Sequence, residues 1–416
     1  MISSRNANSP RDGSASGGSA VRLLVIAGIV HLAAGLAVAR ADEIKVTPAV
    51  TASEEFNDNI LFSTIARKSD VVTTLSPSLE LADNSARHNL SILGGINWLT
   101  YAKMANLDSV DYQYRGQAGY RLSPLTAFSA SGAYVRNSRP DSINQLTMLS
   151  SSSGKDSYNY AFSANRKLDE LTSATMSYSY ASETYDNPAL LGNKVHTAGM
   201  AVNRNFGNLL TGAASAGYSR NIYRDSQSDD YSLGIGSSWQ QSEHFSWNAS
   251  VGGRFTHSSF LVLQQATSTT TEATNDNWGV TGLLSLAYTG EKNRATLSFV
   301  RDFTAASGQI GATERTQVGL TLGRQFLEKF AGQAAITYTI NSSPGGQFSA
   351  QGAEDKAIRC SADLDYEISR HFSMGLRYAF YRIDYSPSNQ SAVQNMVLMQ
   401  ANWKYPVDRF AFIENK

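Results

Sequence analysis

The sequence predicts an all-β chain, a transmembrane antiparallel β-barrel of the outer-membrane type with about 18 strands, 16 being the alternative count. Three observations predict it. The composition suits strands with one apolar and one small-polar face. Long segments alternate with a period of two. The connections between them alternate between short and long.

The composition comes first. The chain has 416 residues, with 35 Lys+Arg against 35 Asp+Glu, and only 17% of it is charged. Hydrophobic residues make up 42% and aromatics 10%, including 20 Tyr and 17 Phe. A disordered chain carries more charge and fewer aromatics. A nucleic-acid partner normally calls for a basic excess, and none exists here. Cys360 stands alone, so no disulfide framework can form. Tyr, Ser, Thr and Gly are abundant, a mixture that fits pleated, half-buried surfaces.

Residues 1–41 read as a cleaved secretory signal peptide. Arg22 precedes the apolar run Leu23–Val38, LLVIAGIVHLAAGLAV, of 16 residues. A bilayer-spanning helix needs roughly 20. Ala39, Arg40 and Ala41 then give an A-x-A cleavage pattern before Asp42 and Glu43. The alternative is an uncleaved membrane anchor. Cleavage after Ala41 leaves residues 42–416 as a single barrel domain, with a net charge of about −3 because the leader holds four Arg and one Asp.

No second apolar run reaches helical spanning length. What recurs is period two. In Val110–Leu122, the residues Val110, Tyr112, Tyr114, Ala118, Tyr120 and Leu122 oppose Asp111, Gln113, Arg115, Gln117 and Arg121. Phe245–Phe255, Phe330–Ile340 and Phe372–Phe380 repeat the pattern. Sandwich strands also alternate, but they run near 5–6 residues. These alternations last 9–13, near the roughly 9–11 residues of a tilted transmembrane strand. Aromatics gather at segment ends, as at Tyr112/Tyr120 and Trp403/Tyr405, which fits interfacial girdles.

Eight short connections lie at 83–86, 123–126, 168–171, 207–210, 241–244, 290–293, 327–330 and 369–372. Nine long polar ones lie near 57–70, 102–109, 137–155, 185–195, 223–230, 257–277, 304–314, 341–356 and 385–394. Outer-membrane barrels have short periplasmic turns and longer outer loops, so this alternation predicts 18 strands with both termini in the periplasm. Closure follows because unpaired backbone groups are costly in lipid. Pro77 removes a ladder donor in the second strand and predicts a bulge or a shorter strand there.

No enzyme site is visible, and no catalytic, cofactor-binding or metal-binding residue is assigned. There is no G-x-S-x-G, and the six histidines make neither an i, i+4 pair nor a Cys/His zinc spacing. Glu54, Glu55, Asn57, Asp58 and Asn59 form an acidic-amide cluster after the first strand. It reads as a turn, with a calcium site as the alternative. Ten charged residues fall on expected inward faces: Asp111, Arg115, Arg121, Lys167, Arg254, Arg359, Asp363, Asp365, Glu367 and Arg377. Charges of both signs in a lumen need water or partners, and a barrel of 16–18 strands is wide enough for an aqueous channel. They are expected to line a pore; the alternative is a lumen filled by loops and ion pairs. Two loops are placed to narrow such a pore. One is Ser-rich 137–155. The other is 257–277, whose apolar start either folds inward or extends a strand.

The opening VTASEEFNDNIL, followed by Lys68-Ser69-Asp70 and Leu75-Ser76-Pro77-Ser78-Leu79, resembles the start of the putative β-barrel porin 2 family, and Asn395–Pro406, NMVLMQANWKYP, resembles its last strand. The resemblance implies an outer-membrane barrel that touches lipid, is inserted by the barrel-assembly machinery, and passes a secreted exopolysaccharide with a periplasmic export partner. It carries over no catalytic residue. Two other functions stay open: a general diffusion porin for small solutes, and a structural or adhesive barrel with a plugged lumen. One departure concerns the end of the chain. Phe410 and Phe412 precede Ile413–Lys416, so the last strand either stops near Tyr405 with a tail or continues to Phe412.

Overall fold

A computed structural model describes residues 44–405, apart from 145–146, 151–152, 265–268, 306–311, 347–351 and 387. The expected leader and the tail after Tyr405 lie outside the described residues. Eighteen strands form one sheet. They are β1 Ile44–Asn57, β2 Asp70–Asn84, β3 His88–Tyr101, β4 Ser109–Ser123, β5 Thr126–Asn137, β6 Lys155–Lys167, β7 Thr172–Tyr185, β8 Asn193–Asn205 and β9 Leu210–Tyr223. The second half contains β10 Ser226–Gln240, β11 Phe245–Gln264, β12 Thr269–Thr289, β13 Asn293–Ala305, β14 Ala312–Leu327, β15 Phe330–Ser343, β16 Ala353–Ser369, β17 Phe372–Ser386 and β18 Gln390–Lys404. Each strand pairs antiparallel with its neighbours in sequence. β1 and β18 close the ring through nine pairs, Ala49↔Lys404 to Asn57↔Met396. The expected strand count and the closure are both present, and the sheet has no free end. With strands about 4.8 Å apart and tilted about 40°, such a barrel is roughly 35 Å across its backbone.

The period-two pattern sorts side chains between two faces. Outside lie residues such as Leu233, Ile235 and Trp278, which are 71%, 68% and 78% exposed. A contiguous apolar band of this kind is stable only against lipid. Aromatic contacts mark its two edges. At the loop end Tyr218 meets Tyr231 (5.2 Å) and Phe255 meets Trp278 (4.9 Å). At the turn end Trp239 meets Trp247 (6.3 Å) and His371 meets Tyr405 (4.9 Å).

Three local expectations change. The connection expected as a long loop at 223–230 is only residues 224–225, because the alternation of Ser226, Ser228 and Asp230 continues β10 upward. Residues 257–277 are mostly strand: β11 and β12 stay paired from His257↔Asp276 to Gln264↔Thr269. Pro77 neither shortens β2 nor shifts its register. It sits opposite Val50 in the β1 ladder, while the β3 ladder omits positions 76 and 77 and resumes in the same register at Ser78↔Gly95. The missing N–H costs those two pairs. Pro77→Val is expected to restore them and to stabilise the barrel by about 1 kcal/mol, read as a higher urea midpoint in detergent micelles.

Candidate functional site

Buried residues concentrate at the loop end of the inner face. Residues 138–154, between β5 and β6, reach the wall on the far side of the ring, half of the 18 strands away. The path begins at Asp111 on β4, whose carboxylate accepts the Ser138 N–H at 3.0 and 3.1 Å. Ser138 Oγ donates to Ser109 Oγ at 2.6 Å. Arg139 then bridges two carboxylates. It donates through Nη1 to Glu55 Oε2 at 2.9 Å and through Nη2 to Glu55 Oε1, while Nε donates to Asp141 Oδ1 at 3.0 Å. Asp141 Oδ2 also accepts from Asn57 Nδ2 (2.8 Å) and Gln394 Nε2 (3.0 Å) on β1 and β18. Farther along, the Thr147 carbonyl accepts from Asn341 Nδ2 on β15 at 2.7 Å.

An apolar seat completes the docking. Met148 and Leu149 are buried with Phe62 against Ala357, Ala379, Tyr381, Ile383 and Ala392 of β16, β17 and β18. A hydrated lumen does not by itself favour alanine, tyrosine and isoleucine on its inner face. They make sense as the floor under two loop side chains, each contributing about 1.5–3 kcal/mol when buried. The β1–β2 connection folds onto the same end: Ile60 packs with Val72, Leu99 and Tyr101, and Asn59 Nδ2 donates to the Val393 carbonyl at 2.9 Å.

The electrostatics of the latch follow from its burial. Burial works against the Arg139 charge, but Asp141 and Glu55 outweigh it and hold its proton above the usual arginine range. Glu55 and Asp141 are both buried, so each depends on Arg139 and on amide donors for solvation. Gln394→Leu removes one donor from Asp141 and is expected to destabilise the docked loop by about 1–3 kcal/mol, measured as faster proteolysis within 138–154.

The ten charged residues expected on inward faces all share, by register, the face that meets this loop. They do not form one cluster. Asp111 anchors Ser138. Asp363 and Arg377 form an ion pair. Arg254 pairs with Glu314 at 2.5 Å and lies 3.6 Å from Asp230. Arg359 lies over the Tyr381 ring at 5.3 Å. Arg115, Arg121 and Lys167 on β4 and β6 are exposed and make no ion pair among the described residues, and the same holds for Asp365 and Glu367 on β16. The unpaired bases and acids therefore occupy different sectors of the wall.

The acidic-amide cluster, expected as a turn, lies mostly on the last residues of β1 and divides between its faces. Glu55 and Asn57 serve the latch, Glu54 accepts from Thr73 at 2.7 Å, and Asp58 accepts the Asn395 N–H at 2.7 Å. Among the described residues no group of three or more His, Cys, Asp or Glu is placed to hold a metal ion. Sequence reasoning named 137–155 as a narrowing loop but missed its partners. The available signal was the break in inward polarity at Ala357, Ala379, Ile383 and Ala392.

Residues 43–199 match the family described as Putative beta-barrel porin 2. The chain is a closed antiparallel β-barrel of 18 strands, and over these residues it is similar to that family. The family resemblance read from the opening segment is borne out there, while the closing segment Asn395–Pro406 lies beyond the matched residues. The chain is similar to crystal structures from Acinetobacter baumannii and Pseudomonas aeruginosa. OccAB4 of A. baumannii is 10% identical with a TM-score of 0.48, covering 88% of this chain and 99% of that one. OccAB2 of the same organism is 11% identical with a TM-score of 0.48, covering 88% and 98%. OpdL of P. aeruginosa is 11% identical with a TM-score of 0.46, covering 88% and 100%. No curated protein sequence matches the chain.

Proposed function

We propose that the protein is a diffusion channel for small solutes, whose effective bore is set by the loop 138–154. The observation that carries this reading is the docking of the loop on distant strands: Arg139 and Asp141 on Glu55, Asn57 and Gln394 of β1 and β18, and Thr147 on Asn341 of β15 at the far wall. An empty barrel of 18 strands would be wide and unselective. A loop held to the far wall divides that opening and leaves passages suited to small molecules. In this reading the inward-facing charged residues other than buried Asp111 and Arg254 line the aqueous path, the apolar face contacts outer-membrane lipid, and the chain arrives on a leader ending at Ala41 and is inserted by the barrel-assembly machinery. Export of an exopolysaccharide with a periplasmic partner draws no support from the arrangement, because a polymer would have to displace the latched loop along its whole passage.

Swelling of proteoliposomes in isotonic sugars of graded size tests the proposal. Monosaccharides are expected to enter and long oligosaccharides to be excluded, with the size limit rising when residues 141–152 are shortened. Free entry of long oligosaccharides into vesicles holding the intact protein, or no entry of monosaccharides, would refute it.

A further inference from the structure

Among the described residues, the ladder between β12 and β13 stops well short of the ends of its strands. β11 and β12 pair over their whole length, Phe245↔Tyr288 to Gln264↔Thr269. β13 and β14 do likewise, Asn293↔Arg324 to Ala305↔Ala312. Between β12 and β13, pairing runs only from Thr289↔Arg294 to Gly282↔Arg301. Above that point β12 continues through 269–281 and β13 through 302–305 without each other. The break begins within the membrane. Trp278 belongs to the outer aromatic band through Phe255 and Tyr231. Gly282 lies four residues below it, about 13 Å along the strand.

An open backbone edge at that depth is costly, and here side chains cover it. Arg254 belongs to the inner face, opposite Ser232 and Gly279. By register Glu314 and Arg301 belong to the outer face, because Arg315 opposite Asn341 faces inward. Yet Arg254 Nη2 donates to Glu314 Oε1 at 2.5 Å and its guanidinium lies 4.3 Å from the Phe303 ring centroid. The ion pair therefore passes through the wall. Gly279 permits this crossing, since a Cβ there would collide with the Arg254 guanidinium. On the outer side Arg301 shares Glu314 at 3.4 Å and is half-exposed. At the foot of the break the inner face carries an apolar pair, Leu283 opposite Val300. Outside, Trp278 and Val280 are 78% and 61% exposed.

We propose that this break is a lateral port for a single-chain anionic amphiphile, moving between the outer leaflet and the lumen. The anionic head takes the place of Glu314 between Arg254 and Arg301, a charge-assisted exchange of one acceptor for another. The chain follows Trp278 and Val280 outside, then Leu283 and Val300 inside. This function is separate from small-solute flux through the loop-narrowed bore, and its test does not depend on that reading.

The test uses the full chain in proteoliposomes, in a Cys360→Ser background, with a fluorophore on Leu283→Cys and a nitroxide-bearing dodecyl phosphate as quencher. Labels on Val280→Cys, outside, and on Ser177→Cys, on the inner face of β7, serve as references. The expected result is quenching at 280 and 283 but not at 177. Arg254→Met or Arg301→Gln removes the quenching at 283 and leaves that at 280, and either variant suffices if the other fails to fold. A nitroxide-bearing dodecanol, lacking the anion, is expected to quench 280 alone. The proposal fails if 283 stays unquenched in the parent protein, if 177 is quenched equally, or if both Arg variants leave quenching at 283 intact.

Discussion

Arg139→Ala is expected to unlatch the loop and to give a larger, noisier single-channel conductance in planar bilayers. Removing the guanidinium leaves Glu55 and Asp141 buried without their cation. Breaking a buried ion network from one side costs about 3–5 kcal/mol. Even about 3 kcal/mol shifts the docked-to-undocked balance of the loop on the order of a hundredfold. The barrel itself is expected to stay closed, because its backbone ladder does not involve Arg139. Heat-modifiable gel mobility checks that point, and Glu55→Gln is expected to act in the same direction more weakly, since an amide still accepts from Arg139. An unchanged conductance in Arg139→Ala would mean that the latch does not set the bore.

The second large effect concerns ion preference. Arg115 and Arg121 face inward, exposed and without ion-pair partners among the described residues. Replacing both with Glu changes four charge units on one sector of the wall. Each unit charge near a passing ion is worth about 1 kcal/mol in water at 4 Å, and less with salt screening. The reversal potential in a salt gradient is therefore expected to move toward cation preference by roughly tenfold in permeability ratio. The same pair of substitutions on the outer face would leave it unchanged. A reversal potential equal to that of the parent protein would place these residues off the conducting path.

Much of this architecture was legible in the sequence, and the reasons are physical. A lipid-facing strand has to alternate over its whole length, so Val110–Leu122 and Phe245–Phe255 declare both strand and face. Backbone pairing in lipid requires closure, so an even strand count and a closed ring follow from the turns. The strand ends were less legible. Above the bilayer the outer face no longer has to be apolar, and the same Ser, Asp and Thr serve strand and loop alike, which is why 223–230 and 257–277 read as loops although strands continue through most of them. The latch was least legible. Arg139 and Glu55 lie 84 positions apart, and no local rule links a loop arginine to the wall it meets. The apolar seat left a trace, because Ala357, Ala379 and Ile383 interrupt inward polarity, but its meaning needed the loop in place above it.

The most direct measurement concerns whether the loop crosses the lumen in the membrane. Thr147 and Asn341 belong to the loop and to β15 on the opposite wall, and they are joined by the 2.7 Å bond between the Asn341 amide and the Thr147 carbonyl. In a Cys360→Ser background, Thr147→Cys with Asn341→Cys is expected to become cross-linked in intact outer membranes by a short thiol cross-linker, with position 147 shielded from bulky thiol reagents added outside. The single-channel conductance of the cross-linked protein should equal that of the parent. Failure to cross-link, with Thr147→Cys reacting freely from outside, would contradict the account of a bore narrowed by its own loop.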